Sequence, residues 1–168
     1  MADFKKPMPA NVDAERLVIG SILLDDSLYT STARVLAPED FFLEKHRRIF
    51  ARMADLYDRG EHIDRVALAE ELMRKDQLES IDGFSYLASL DEGLPRIPNI
   101  DGYVRIIKDK SISRSIIHIC AEIKRRCLDY QESAEEICAA AEEMLLQVQH
   151  GRIFGDATST AIHNQALQ

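Results

Sequence analysis

Glycine and proline are scarce in this chain, with seven glycines and five prolines among 168 residues. A sheet protein with many tight turns needs more of both, so the scarcity favours long helices. None of the seven glycines precedes a lysine. That excludes the phosphate-cradling loop G-x-x-x-x-G-K-[ST], and with it triphosphate hydrolysis by the usual route. HExxH, GxSxG and GxGxxG are also missing, so no familiar catalytic or dinucleotide motif offers a starting point. The three cysteines, Cys120, Cys127 and Cys138, form no CxxC pair, and their odd number suits reduced thiols. Cys120 and Cys127 lie seven apart near His118. A metal cluster is one reading of that spacing; small buried apolar residues are the expected one. An excess of positive charge is lacking too. The formal net charge is −8, which argues against a free-standing nucleic-acid binder and leaves weak or no DNA binding as the expectation. The longest apolar runs, such as "RLVIGSILL", are far too short to span a bilayer. Residues 1–15 carry no signal-peptide apolar region, so the expected location is the cytoplasm.

What is present is a chain of 46% hydrophobic residues, enough for a substantial core. Residues 1–10 read as an extended lead-in, because Pro7 and Pro9 discourage helix. Asn11 or Asp13 can cap a helix reaching Leu24, with Leu17, Val18, Ile19, Ile22 and Leu24 on a wide apolar face. Gly20 sits inside it, although glycine there costs about 1 kcal/mol relative to alanine. A short helix follows in "SLYTSTARVL", and Pro38 opens the next turn. Ile49, Phe50, Met53, Leu56 and Tyr57 mark a strongly amphipathic helix that Gly60 stops. Asp64 caps another, with Val66, Leu68, Ala69 and Leu72 inside, and "FSYLASL" starts a shorter one after the turn at Asp82-Gly83. No segment alternates with period two. The fold class is all-α.

After Pro95 and Pro98 the pattern changes. Ile112, Ile116, Ile119 and Ile123 recur at spacings of four, three and four. Beyond "DYQES", Ser133 and Glu136 form a capping box, and Ile137, Ala141, Met144 and Val148 repeat at the same spacings until Gly151 ends the helix. This predicts an antiparallel helical hairpin with coiled-coil-like seams. Residues 105–126 are mostly basic, whereas 133–148 carry Glu135, Glu136, Glu142 and Glu143 and no base. Complementary arms can pair within one hairpin or between two chains. Each exposed pair contributes only about 0.2–1 kcal/mol, so apolar burial must dominate. Two helices cannot bury both apolar faces alone, and self-association through the eight seam residues is expected. The domain plan is a lead-in over 1–10, a globular helical domain over 11–98, the hairpin over 99–150 and a polar tail or linker over 151–168.

Catalytic and metal-binding residues are expected to be absent. The glutamates of "AEEL", "AEEI" and "AEEM" fall on solvated helix faces, and His46, His62, His118, His150 and His163 have no ligand spacing. The basic stretch "KHRRIFAR" reads as an ordinary solvated face.

"PANVDAERLVIGSILLD" resembles the opening of the N-terminal domain of the bacterial replicative DNA helicase DnaB, where Pro-x-Asn-x-Glu-Ala-Glu leads into an apolar helix containing Gly-Ser. Further matches follow in order: "LAPEDFF", "HRRIFARMADLYDRG", "IDRVALAEELMRKDQL", "GFSYLASL" and "YVRIIKDKSISRSII". The likeness runs from about Pro9 to Val148. Asp13 replaces the family's common Glu, Phe42 stands where Tyr is frequent, and Arg65 occupies a position often apolar. The resemblance implies a globular helical domain followed by a hairpin that pairs between subunits. It implies a homo-oligomer, hexameric in full-length members, whose collar supports ring assembly and docks primase or a helicase loader. ATP and magnesium would belong to a RecA-like domain that this sequence does not contain. A stand-alone regulatory relative and a small carboxylate-based enzyme are the alternative readings.

Overall fold

Asn11 begins the regular structure: its Oδ1 accepts the Ala14 amide at 2.9 Å, and α1 (Val12–Leu24) follows. The computed structural model describes residues 6–165, with side-chain surroundings through residue 149. The first five residues of the lead-in and the last three of the expected tail lie outside that range. After α1 come α2 (Leu28–Ala33), α3 (Glu44–Asp58), α4 (Arg65–Arg74), α5 (Gly83–Asp91), α6 (Asp101–Asp129) and α7 (Ala134–Gln165), with 3₁₀ turns at Pro38–Asp40 and Glu79–Ile81. Among the described residues there is no strand. The punctuation follows the sequence. Gly60 takes a left-handed φ of 71° after α3, Asp64 Oδ1 accepts the Val66 and Ala67 amides at 2.8 and 2.9 Å, and Asp82 and Gly83 turn the chain at φ 68° and 72°.

Residues Ala10–Asp109 form one unit and α6 from Lys110 onward, with α7, belongs to the other. The core of the first unit collects Ile19 and Ile22 from α1, Ile49, Phe50 and Met53 from α3, Leu72 from α4 and Leu90 from α5, all fully buried. Phe41 reaches in from the loop before α3 and packs its ring 4.9 Å from that of Phe50. The division between units falls inside α6, about ten residues after the expected boundary at 98/99. Ile100, Val104 and Ile107 are buried in the globular core, so the first turns of the long helix serve that core.

Gly20 has its partner in α5. A Cβ there would overlap the Leu90 carbonyl oxygen and lie 2.6 Å from Leu94 Cδ1. The close approach of α1 and α5 therefore offsets the propensity term.

Three local expectations differ from the structure. Val66 is 64% exposed, because as the second residue of α4 it points away from the face that holds Leu68, Ala69 and Leu72. The helix expected to stop at Gly151 continues to Gln165. A glycine ends a helix only when it adopts the left-handed conformation; otherwise it is an interior residue costing about 1 kcal/mol. Cys120 and Cys127, expected to be buried, are exposed, as is Cys138.

Candidate protein-interaction site

The hairpin is held at its turn by side chains that bond to near neighbours in sequence. Arg125 reaches Glu122 at 2.7 Å and Asp129 at 2.5 Å, and Arg126 pairs with Glu132. Tyr130 takes a φ of 52° between the arms. The capping box is formed: Glu136 Oε2 accepts the Ser133 amide at 2.7 Å, and Ser133 Oγ accepts the Glu136 amide at 3.2 Å. These bonds set the local titration. The Arg125 guanidinium holds the Glu122 carboxyl below its usual range, Arg126 does so for Glu132, and the Ser133 amide does so for Glu136.

The charge difference between the arms is not spent inside the hairpin. Arg125 and Arg126 pair with acids of their own helix and turn, whereas among the described residues Glu135, Glu142 and Glu143 make no ion pair. Of the two possibilities raised by the sequence, pairing within the hairpin leaves these glutamates out.

The eight seam residues divide unevenly. Ile112, Ile119 and Ile123 on α6, and Ile137, Ala141, Met144 and Val148 on α7, are partly buried. Ile116 is 40% exposed. Other apolar side chains that the seam reading left out are also exposed, among them Ile117, Leu128, Leu145 and Leu146. A single seam per arm, read at spacings of four and three, does not separate the covered stripe from its exposed neighbour. The all-round apolar character of "SIIHIC" and "EMLLQV" was the available signal.

The globular unit contains a polar cluster that scattered histidines did not suggest. His46 is fully buried. Its Nδ1 lies 2.6 Å from Glu15 Oε2, and its Nε2 lies 2.7 Å from the Tyr86 hydroxyl. Glu15 Oε1 also accepts the Phe42 amide at 2.5 Å. A proton on Nδ1 donates to the carboxylate, and Nε2 then accepts from Tyr86, so each polar atom is partnered. The cluster joins α1, α3, α5 and the loop before α3. The signal for it was periodicity: His46 precedes Ile49, Phe50 and Met53 on the buried face of α3, as Glu15 precedes Ile19 and Ile22 on α1.

Two shallow clefts gather carboxylates and bases. One, of about 300 Å³, is lined by Glu39, Glu44, Arg47, Arg48, Arg52 and Gln77 among others. There Arg48 pairs with Glu44 at 3.2 Å. The other, of about 330 Å³, brings together Glu61, Glu70 and Glu71 with Arg59 and Arg74. Burial pushes the Glu71 carboxyl up, but bonds from Arg74 and Arg59 outweigh it and hold it below its usual range; Arg59 does the same for Glu61. General-acid catalysis needs a carboxyl held protonated near neutral pH. These two are held ionised. Arg65, at a position the resemblance marks as often apolar, is explained by Asp91: its Nη2 donates to both carboxylate oxygens at 2.7 Å. Among the described residues no group of three His, Cys, Asp or Glu side chains is placed to hold a metal ion, and no helix is long and apolar enough to cross a membrane.

Comparison with known proteins gives a consistent picture. A family model for the DnaB-like helicase N terminal domain matches residues 7–109. The replicative DNA helicase DnaC of Bacillus subtilis (strain 168) is 35% identical over 140 residues, covering 83% of this chain and 31% of the relative. The replicative DNA helicase DnaB of Geobacillus stearothermophilus is 32% identical over 140 residues, with the same coverage. The chain thus spans about a third of the length of these relatives. Among solved structures, the N-terminal domain of DnaB helicase from Mycobacterium tuberculosis superposes with a TM-score of 0.79 at 26% identity, covering 84% of this chain and 99% of that one. A DnaB-like replicative helicase, described together with its interactions with primase, gives 0.68 at 25% identity, over 82% of this chain and 31% of the other.

Proposed function

The chain belongs to the DnaB-like helicase N-terminal domain family, and we propose that it acts in bacterial DNA replication as a collar module. In this reading it joins copies of itself through the hairpin and offers a docking platform for primase or a helicase loader in the cytoplasm. ATP-driven unwinding resides in the C-terminal RecA-like domain of the family, with ATP and magnesium bound there. Support for primase docking comes from the structural neighbour described with primase. Support for self-association comes from this chain.

The observation that carries the reading is the exposed apolar surface of the hairpin. Ile116, Ile117, Leu145 and Leu146 are each at least 40% exposed on helices whose spacing suits another helix. Their burial is worth roughly 25 cal/mol per Å² removed from water, and a second copy offers the same surface.

Sedimentation velocity tests the proposal. The wild-type chain is expected to associate in the micromolar range, as a hairpin-paired dimer or a larger ring. Ile116→Asp places a carboxylate without a partner in the contact, and burying a polar group unpaired costs several kcal/mol. At about 1.4 kcal/mol per tenfold, association should weaken by roughly a thousandfold. The variant should sediment as a monomer while its circular dichroism keeps the helical signal. A wild-type chain that stays monomeric at high micromolar concentration overturns the reading.

A further inference from the structure

All three thiols of the chain lie on the hairpin, all three are exposed, and helix geometry puts them on one side of it. On α6, Ile116, Cys120 and Cys127 are separated by four and seven residues. At about 100° per residue they fall within roughly 40° of one another. On α7, Cys138 and Leu145 are seven apart and fall within about 20°. The exposed stripe is rotated from the partly buried stripe of its own arm by about 60° on α6 and about 80° on α7, in the same sense along the chain. The arms run in opposite directions. Similar rotations in the same sense therefore bring both stripes to the same side of the hairpin, as one apolar face that holds every cysteine.

We propose that this thiol-bearing face is the surface a second copy of the chain covers, so that assembly and modification of the cysteines exclude each other. The proposal rests on the self-association reading above and adds the face and its regulation. Charge favours a second copy as the occupant. Exposed Lys110 and Lys124 flank the stripe on α6, and exposed Glu135 and Glu142 flank it on α7. Among the described residues neither pair of groups is ion-paired to the other arm of its own hairpin. A symmetric pair that lays each copy's α6 against the other's α7 sets lysines beside glutamates on both edges. The spacing of the stripe agrees, since Ile116, Cys120 and Cys127 follow intervals of four and seven, compatible with a helix that packs knobs into a partner's holes. Cysteine behaves there as a small apolar side chain.

The modification has a simple chemistry. A cysteine thiolate attacks one sulfur of glutathione disulfide, a new S–S bond forms as the old one breaks, and glutathione leaves as the thiolate. The added tripeptide is charged and far larger than a thiol hydrogen. On the face of a free chain it is harmless; between two hairpins it is a wedge. Glutathionylated chains should therefore be monomers, and dithiothreitol should return them to the assembled state.

The experiment needs no variant that risks misfolding. Ellman's reagent reads this face alone, because the chain has no other thiol. The reaction rate of wild-type protein is followed from low to high micromolar concentration and set beside sedimentation of the same samples. The expected result is a rate that falls at least tenfold as the chain associates, with Ile116→Asp reacting fast at every concentration. A chain with Cys120, Cys127 and Cys138 all replaced by Ser should assemble and ignore glutathione disulfide. If the wild type associates while its thiols react at a constant rate, the face is wrong and the self-association reading survives. If it never associates, both fall. A glutathionylated chain that still sediments as an oligomer overturns the exclusion.

Discussion

Glu15, His46 and Tyr86 in the globular unit and Ile116, Leu145 and Leu146 in the hairpin depart from the same rule in opposite directions. The first group places polar atoms in the interior and satisfies them there, with bonds of 2.6 and 2.7 Å around a fully buried imidazole. The second leaves large apolar side chains in water. A buried polar network fixes one arrangement of α1, α3 and α5, because few alternative packings satisfy the same atoms. An exposed apolar stripe specifies nothing within one chain and has value only when another surface covers it. One unit buries its own polar exceptions, and the other leaves its apolar ones exposed.

The largest effect should come from breaking the buried cluster. Glu15→Ala strands the His46 Nδ1–H in the core and removes the carboxylate that accepts the Phe42 amide. Each unsatisfied buried donor costs about 1–3 kcal/mol, a large part of the 5–15 kcal/mol that holds a typical domain together. Urea titration should show the globular unit unfolding at much lower denaturant, with Glu15→Gln in between because its amide oxygen still accepts one bond. Equal midpoints for Glu15→Ala and wild type would show that the cluster adds nothing to the fold.

A smaller effect, confined to the other region, should follow Ser133→Ala. It removes the hydroxyl that accepts the Glu136 amide at 3.2 Å, and loss of such a cap costs about 1 kcal/mol. Hydrogen exchange should speed up in the first turn of α7 and leave α1, α3 and α5 unchanged. Acceleration across all helices would mean that the two regions unfold as one.

Much of the globular unit was legible because its signals are local. Asn11, Asp64 and Gly60 act within a few residues, and the apolar periodicity of α3 picks out Ile49, Phe50, Met53 and Leu56. Gly20 announced a close neighbour without naming it, since the approach of Leu90 is a contact across seventy residues. The Glu15–His46–Tyr86 cluster was missed for the same reason. In the hairpin the capping box and both helices were readable, but exposure was not. Cys120, Cys127 and Cys138 have the size and polarity of core residues, and a composition that suits burial does not say whether the covering surface is in the same chain. Gly151 misled because a glycine terminates a helix only through its conformation, which neighbouring residues decide.

The smallest effect concerns a surface pair of the globular unit, His62 and Asp26, whose Nδ1 and Oδ2 are 2.7 Å apart. The hydrogen bond to Asp26 raises the His62 pKa, and the same bond lowers that of Asp26. The raised histidine contributes stability fully below its unfolded value near 6.5, and that contribution is lost as pH rises through its higher folded value. The lowered aspartate contributes above its unfolded value near 3.8, and that is lost as pH falls through its lower folded value. The pair therefore supports the fold between about pH 4 and pH 6.5 and fades on both sides. His62 is almost wholly solvent-exposed, so screening keeps the contribution small. Nuclear magnetic resonance titration of the His62 ring should give a midpoint above that of an exposed peptide histidine, and Asp26→Asn should return it to the peptide value. Melting temperatures at pH 5.5 and pH 8 should then differ slightly less in Asp26→Asn than in wild type. On the proposed hairpin pairing such a change leaves association untouched, because the pair lies in the globular unit; an effect on sedimentation would tie this surface to association after all.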